Sequence, residues 1–184
     1  MKLFTEHKNI KPNIFFTSDL HFNDERFDIL YRPFKTIEEQ NNLIIRNINK
    51  IVKEDDILYM LGDISVDNSG IKNLEKIKCK NKILIIGNYD EDKLSLLKPY
   101  FKEIYNDLII KLKDDKKYYL NHYPVNKKND MFNIVGHIHS LWKVKKNMVN
   151  VSTDIWNFSP VSEDKILFIR NAIENFYDDN VFIN

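Results

Sequence analysis

The chain lacks most of what marks a specialised protein class. It has one cysteine, Cys79, so no internal disulfide framework can form, and the composition suits a reducing compartment. Four glycines and five prolines in 184 residues leave no Pro/Gly-rich linker. No repeat or low-complexity tract interrupts the chain, so a single domain over residues 1–184 is the simplest organisation. No apolar run approaches the roughly 20 residues of a membrane-spanning helix. The opening "MKLFTEHKNIK" lacks the apolar core of a signal peptide, and the cytoplasm is the expected location. Neither sign of charge dominates. Twenty-eight Lys+Arg against 27 Asp+Glu give +1, which removes any case for a nucleic-acid or membrane partner recruited by bulk charge.

What the chain does have is a repeated local theme, an apolar strand running into polar, metal-capable residues. "NIFFTSD" (13–19) reads as a buried strand ending near Ser18, followed by Asp19-x-His21. "DILYMLGD" (56–63) ends in Gly62-Asp63, and "KILIIGN" (82–88) in Gly87-Asn88-Tyr89-Asp90. "DLIIKLKDDKKYYLNHY" (107–123) reads as a hairpin turning near Asp114-Asp115 and leading to His122. "FNIVGH" (132–137) leads to Gly136-His137-Ile138-His139. "KNMVNVS" (146–152) reads as a further strand. Helices are expected over 35–56, 70–78 and 159–177. Thr36 and Glu39 form a capping box for the first, and Ser162 caps the last. Ile37, Leu43 or Ile44, Ile48, Ile51 and Val52 form the apolar stripe of the first helix. Alternating strands and helices in the first half indicate an α/β sheet covered on both faces.

In open α/β sheets, ligands sit outside the carboxyl ends of the strands. Four of the five histidines follow predicted strands; His7 is read as a surface residue. Taken singly, each residue has an ordinary role: an Asp can cap a helix, an Asn can make a turn, a His can pack. Together they supply two carboxylates, one amide and four imidazoles. Nitrogen and oxygen donors without thiolate suit Mn²⁺, Fe, Zn²⁺, Ni²⁺ or Co²⁺. The glycines before the donors allow tight turns and close backbone approach.

The ordered series Asp-x-His, Gly-Asp, Gly-Asn-x-Asp, His, Gly-His-x-His resembles the calcineurin-like metallophosphoesterase superfamily. "SDLHF", "RPFKTIEEQNNLIIRNINKIVKEDDILYMLGD" and "NVSTDIWNFSPVS" resemble its small bacterial and phage branch. The resemblance implies an α/β fold, a two-sheet β-sandwich flanked by helices in four αββα layers. It implies two divalent metal ions, with manganese favoured. Asp19, His21, Asp63 and His139 would hold one ion. Asp63, Asn88, His122 and His137 would hold the other, with Asp63 shared. The expected activity is hydrolysis of a phosphate ester by water activated between the ions, without a protein nucleophile.

Two positions depart from the family pattern. Gly-Asn-His-Asp is usual there, its histidine assisting the leaving group, whereas this chain has Tyr89. A tyrosine can donate a hydrogen bond but is a poorer proton shuttle near neutrality. Tyr89 is either a catalytic donor or an aromatic at the site's edge, and Asp90 loses the histidine it would orient. Asp24 stands where the small branch often has histidine, and a turn-capping role suits it. Arg32 is a candidate phosphate contact, with an ion pair to an acidic neighbour as the alternative. Lys143, Lys145 and Lys146 are expected on an edge strand or the cleft rim. Trp156 and Phe158 are expected to pack against the last helix.

The expected partner is a small phosphate ester, nucleotides included. A diester is favoured over a monoester because proton delivery limits it less. The chain leaves little room for a capping domain, so an open cleft is expected. A catalytically weak chain of the same fold acting as a protein-interaction scaffold, and a nuclease, remain the alternatives.

Overall fold

The computed structural model describes residues 11–177, so His7 lies outside the described residues. Two five-stranded mixed sheets form, flanked by helices, the α/β sandwich that the sequence predicts. The first sheet contains β1 (Ile14–Thr17), β2 (Ile57–Met60), β3 (Asn81–Ile85) and β4 (Glu103–Tyr105) in parallel. The second contains β5 (Asp107–Lys111), β6 (Lys117–Asn121), β7 (Phe132–Val135), β8 (Val144–Lys145) and β9 (Met148–Asn150), in the order β5-β6-β7-β9-β8. A short β10 (Val161–Ser162) returns to pair antiparallel with β1.

Side chains of the first sheet alternate between two cores, which explains its continuous apolar runs. Phe15, Leu58, Met60 and Leu84 face α1 (Ile37–Ile51). Phe16, Tyr59, Leu61 and Ile85 face the second sheet's Leu120, Ile134 and Val149. Helix α3 (Glu163–Phe176) adds Ile166, Ile169 and Ile173 to that shared core. Between them, α2 is a single turn (Leu94–Leu97). The 70–78 helix forms as a 3₁₀ helix, Gly70–Lys76.

The Thr36 hydroxyl accepts from Glu39 N, and the Ser162 hydroxyl from Lys165 N, so both predicted caps form. Two details differ from expectation. Helix α3 starts at Glu163, because Val161 and Ser162 are taken into the sheet. In α1, Ile44, Ile48 and Val52 are buried as expected, but Ile51 is 39% exposed, while Gln40 and Asn41 are buried. The polar pair is there for the loop after β1. Gln40 Nε2 donates to His21 O at 3.0 Å, and Asn41 Nδ2 donates to Asn23 Oδ1 at 2.8 Å. Two of the five buried residues of α1 therefore support a loop rather than a core.

The sheets are tied together at one end. Ser18, just past β1, bridges Ser152, just past β9, through Ser18 N and Val151 O at 3.1 Å. The carboxyl ends of β1, β2, β3, β6 and β7 reach this end.

Candidate metal centre

The loops leaving these strands carry all seven predicted donor residues, and their backbones are unusual. Asp19, His21, Asp63, His137 and His139 all have φ between 46° and 75°. Non-glycine residues rarely adopt this left-handed region, and each such residue costs on the order of 1–3 kcal/mol where the surroundings enforce it. The turns are also tightly packed. A Cβ on Gly62 (φ 82°) would lie 2.5 Å from His122 Nδ1, and one on Gly87 would lie 2.4 Å from Asp63 Oδ1. Only glycine lets the β2 and β3 loops cross this closely.

The donors form two groups whose ligand atoms lie within 4.8 Å of one another: Asp19, His21 and His139; and Asp63, His122 and His137. Asn88 joins the second, its Oδ1 3.1 Å from His137 Nδ1 and 3.3 Å from His122 Nε2. One atom lies between the groups. Asp63 Oδ2 is 3.4 Å from His21 Nε2 and 3.5 Å from His122 Nε2.

Buried partners orient the imidazoles. His122 Nδ1 stands 2.6 Å from Leu61 O, and donating to that carbonyl leaves Nε2 as a lone pair facing Asp63, Asn88 and His137. His139 Nδ1 is 2.8 Å from Asp154 Oδ2, which leaves its Nε2 free for a cation. A carboxylate behind a histidine is the usual support of a metal ligand. His21 is 1% exposed, and neither ring nitrogen has an aligned hydrogen bond. Carboxylate oxygens of Asp24 and Asp63 flank it at 3.4 Å. A buried polar atom left unpaired costs about 1–3 kcal/mol. Lone pairs converging on carboxylate and amide oxygens fit bound cations, so the residues present suit divalent metals.

Electrostatics agree. Burial pulls the His122 pKa down, but Asp63 and Asp19 outweigh it and raise it to about 9. His21 is also raised, Asp24 and Asp63 prevailing over burial. Asp63 is held well below the usual carboxylate range against the pull of its own burial, by His122 and His21. His137 is lowered, by burial and by the charge of His122. The same carboxylates that favour a proton on His21 and His122 in the metal-free protein would favour a cation beside them.

Other candidate residues are placed differently. Arg32 does not face the cleft. It is 4% exposed, and its guanidinium donates to Asp154 Oδ1 and Oδ2, Gln40 Oε1 and the carbonyls of Leu20 and Asp19. All its donors are used, which excludes a phosphate contact; instead it anchors Asp154 behind His139. Asp90 does not meet the Tyr89 hydroxyl. Its carboxylate accepts from the backbone N–H of Asp63, Ile64 and Gly87, joining the β2 and β3 loops. Burial pushes its pKa up to about 6 against those three donors. Tyr89 lies at the site's edge, its ring edge-on to His21 with centroids 4.8 Å apart. Asp24 Oδ1 accepts from Arg26 N at 2.9 Å, the turn-capping role expected of it. Val144–Lys145 is an edge strand, with Lys143 over Trp156 and Lys145 over Trp142. Phe158 packs on Phe34, not on the last helix. The strand-then-donor rule extends to "NMVNVSTD" and finds Asp154; Arg26 and the supporting Gln40 have no such signal.

Three comparisons relate the chain to known proteins. The calcineurin-like phosphoesterase family model matches residues 12–180. An uncharacterized protein of Methanocaldococcus jannaschii is 32% identical over 170 residues, covering 84% of this chain and 89% of its own. The crystal structure of a protein of unknown function from Aquifex aeolicus superposes with a TM-score of 0.67 at 27% identity, covering 85% of this chain and 98% of that one. A family model spanning nearly all the described residues, together with paired donor groups at the strand ends, places this chain in the calcineurin-like phosphoesterase family.

Proposed function

We propose that the protein is a metal-dependent phosphoric ester hydrolase with two divalent ions, manganese favoured, acting on a small phosphodiester in preference to a monoester. The observation that carries this reading is the position of Asp63 Oδ2, nearly equidistant from a nitrogen of each donor group. Asp19, His21, Asp63 and His139 would hold one ion; Asp63, Asn88, His122 and His137 the other. Bound there, the ions would polarise the phosphoryl group and lower the pKa of a water near the phosphorus.

The chain's own residues supply the rest. Asp154, held by Arg32, keeps the His139 ring fixed, and the Leu61 carbonyl does the same for His122. Asp90 holds the Asp63 and Gly87 turns at a fixed separation. Asn88 and His137 are exposed, so the second group opens to solvent and a substrate can reach it without a lid. The preference for a diester rests on Tyr89: a tyrosine with no contact from Asp90 is a poor shuttle of a proton to a strongly basic leaving group.

The test is metal content after manganese reconstitution, with hydrolysis of bis(p-nitrophenyl) phosphate and p-nitrophenyl phosphate. Two ions per chain and faster diester turnover are expected. A chain that binds no manganese sinks the metal reading. Two bound ions without turnover on any mono-, di- or cyclic nucleotide ester would favour a scaffold.

A further inference from the structure

We propose that Arg26 is the phosphate-binding residue of this site, held in place by Asp24 and Tyr89. The proposal rests on the dinuclear reading above and names the group that would recognise the substrate's phosphate.

Four arginines are present, and three are committed elsewhere or lie away from the donors. Arg32 is buried with its donors used. Arg170 pairs with Glu174 and stacks on Tyr118. Arg46 lies on the exposed side of α1. Arg26 differs from all three. Its side chain is 43% exposed, and it stands beside a donor group. Asp24 takes one edge of its guanidinium, with Nε donating to Oδ1 at 2.9 Å and Nη2 to Oδ2 at 2.6 Å. That fork leaves Nη1 unclaimed by the carboxylate. The same Asp24 Oδ2 is 3.4 Å from His21 Nδ1, which ties the arginine to the first donor group through a single oxygen.

The other side of the guanidinium lies over Tyr89, 5.4 Å from the ring centroid. Tyr89 in turn stands edge-on to His21. Arg26 is therefore fixed from two sides against the imidazole of a metal ligand. A planar cation held this way loses little freedom on binding and matches the oxygens of a phosphate group.

Asp24 and Tyr89 both touch the same arginine. This gives Tyr89 a role that its hydroxyl chemistry alone does not: it positions Arg26.

The test uses manganese-loaded full-length protein and inorganic phosphate as the probe, with phosphate and manganese affinities both measured by calorimetry. Arg26→Gln should weaken phosphate binding about 10- to 100-fold, the usual weight of a charge-assisted bidentate contact. Manganese affinity should stay within about threefold, since losing a group that supports a metal ligand costs tenfold or more. Arg26→Lys should recover part of the phosphate affinity, as a cation lacking the planar fork. If Arg26→Gln and Arg26→Lys both bind phosphate as tightly as wild type, the inference is overturned while the dinuclear site stands. It is also overturned if Arg26→Gln loses phosphate and manganese in parallel, because the arginine would then only brace His21. If wild type takes up no manganese, the underlying functional reading falls and this one with it.

Discussion

The two donor groups are built to different standards. Asp19 and His21 are buried and His139 is partly so, and each of the three is backed by further protein contacts. In the second group Asp63 and His122 are buried, but His137 and Asn88 are exposed. The difference shows how one site can be both rigid and open. Buried charges require organised partners, and here they are Asp24 beside His21 and the Asp154–Arg32 pair behind His139. Exposed donors require none, and they leave room for a ligand. The first group is thus suited to retain an ion, and the second to present one.

The largest effect should come from the atom the groups share. Asp63→Asn is expected to abolish binding at both groups and to lower kcat/KM by at least about 10³-fold, the several kcal/mol that Lewis-acid stabilisation supplies. Metal analysis showing one ion retained at full occupancy would separate the groups and break the bridging argument.

Next are variants that should affect one group only. Asp154→Asn removes the acceptor behind His139 and should weaken the first ion about 10- to 100-fold. His137→Ala should weaken the second ion and leave the first within about threefold. A two-site calorimetric titration in which each variant affects both ions equally would erase the distinction.

The pH dependence sharpens the same contrast. His122 titrates near 9 in the folded, metal-free protein against an ordinary value of 6.5. Its contribution to metal-free stability is complete below pH 6.5 and is lost as the pH rises towards 9. A bound cation needs the imidazole neutral, so metal affinity runs the opposite way. The gain in Tm on adding manganese should therefore grow from pH 6.5 to pH 9. A gain that is flat or falls over this range would contradict the raised titration of His122.

The smallest effect is expected at Tyr89. Tyr89→His should raise turnover of an alkyl phosphate ester relative to an aryl one, within the roughly 10²-fold that general-acid assistance can supply. An unchanged alkyl-to-aryl ratio would mean that proton delivery to the leaving group does not limit this site.

Legibility followed distance along the chain. The ligand-bearing turns could be read because each combines a local apolar run with a local chemical group, as in "LYMLGD" and "FNIVGHIH". The caps at Thr36 and Ser162 could be read for the same reason. What supports the ligands could not. Arg32 meets Asp154 122 positions away, and no local pattern distinguishes that pair from an arginine facing solvent or substrate. Ile51 fits the helical stripe and yet is exposed, because periodicity gives the direction of a side chain but not where the neighbouring sheet ends. The strands β4, β8 and β10 are two or three residues long, too short for a period to show.

The sequence by itself determined which side chains could bind a cation, in what order they occur, and that each follows a strand. Only the tertiary structure decided that Asp63 lies between the two groups, that Arg32 braces a histidine, and that Arg26 faces outward beside Tyr89. The physical reason is that donor identity is a property of one residue, whereas a 3.4 Å approach between loops of different strands depends on how both sheets pack.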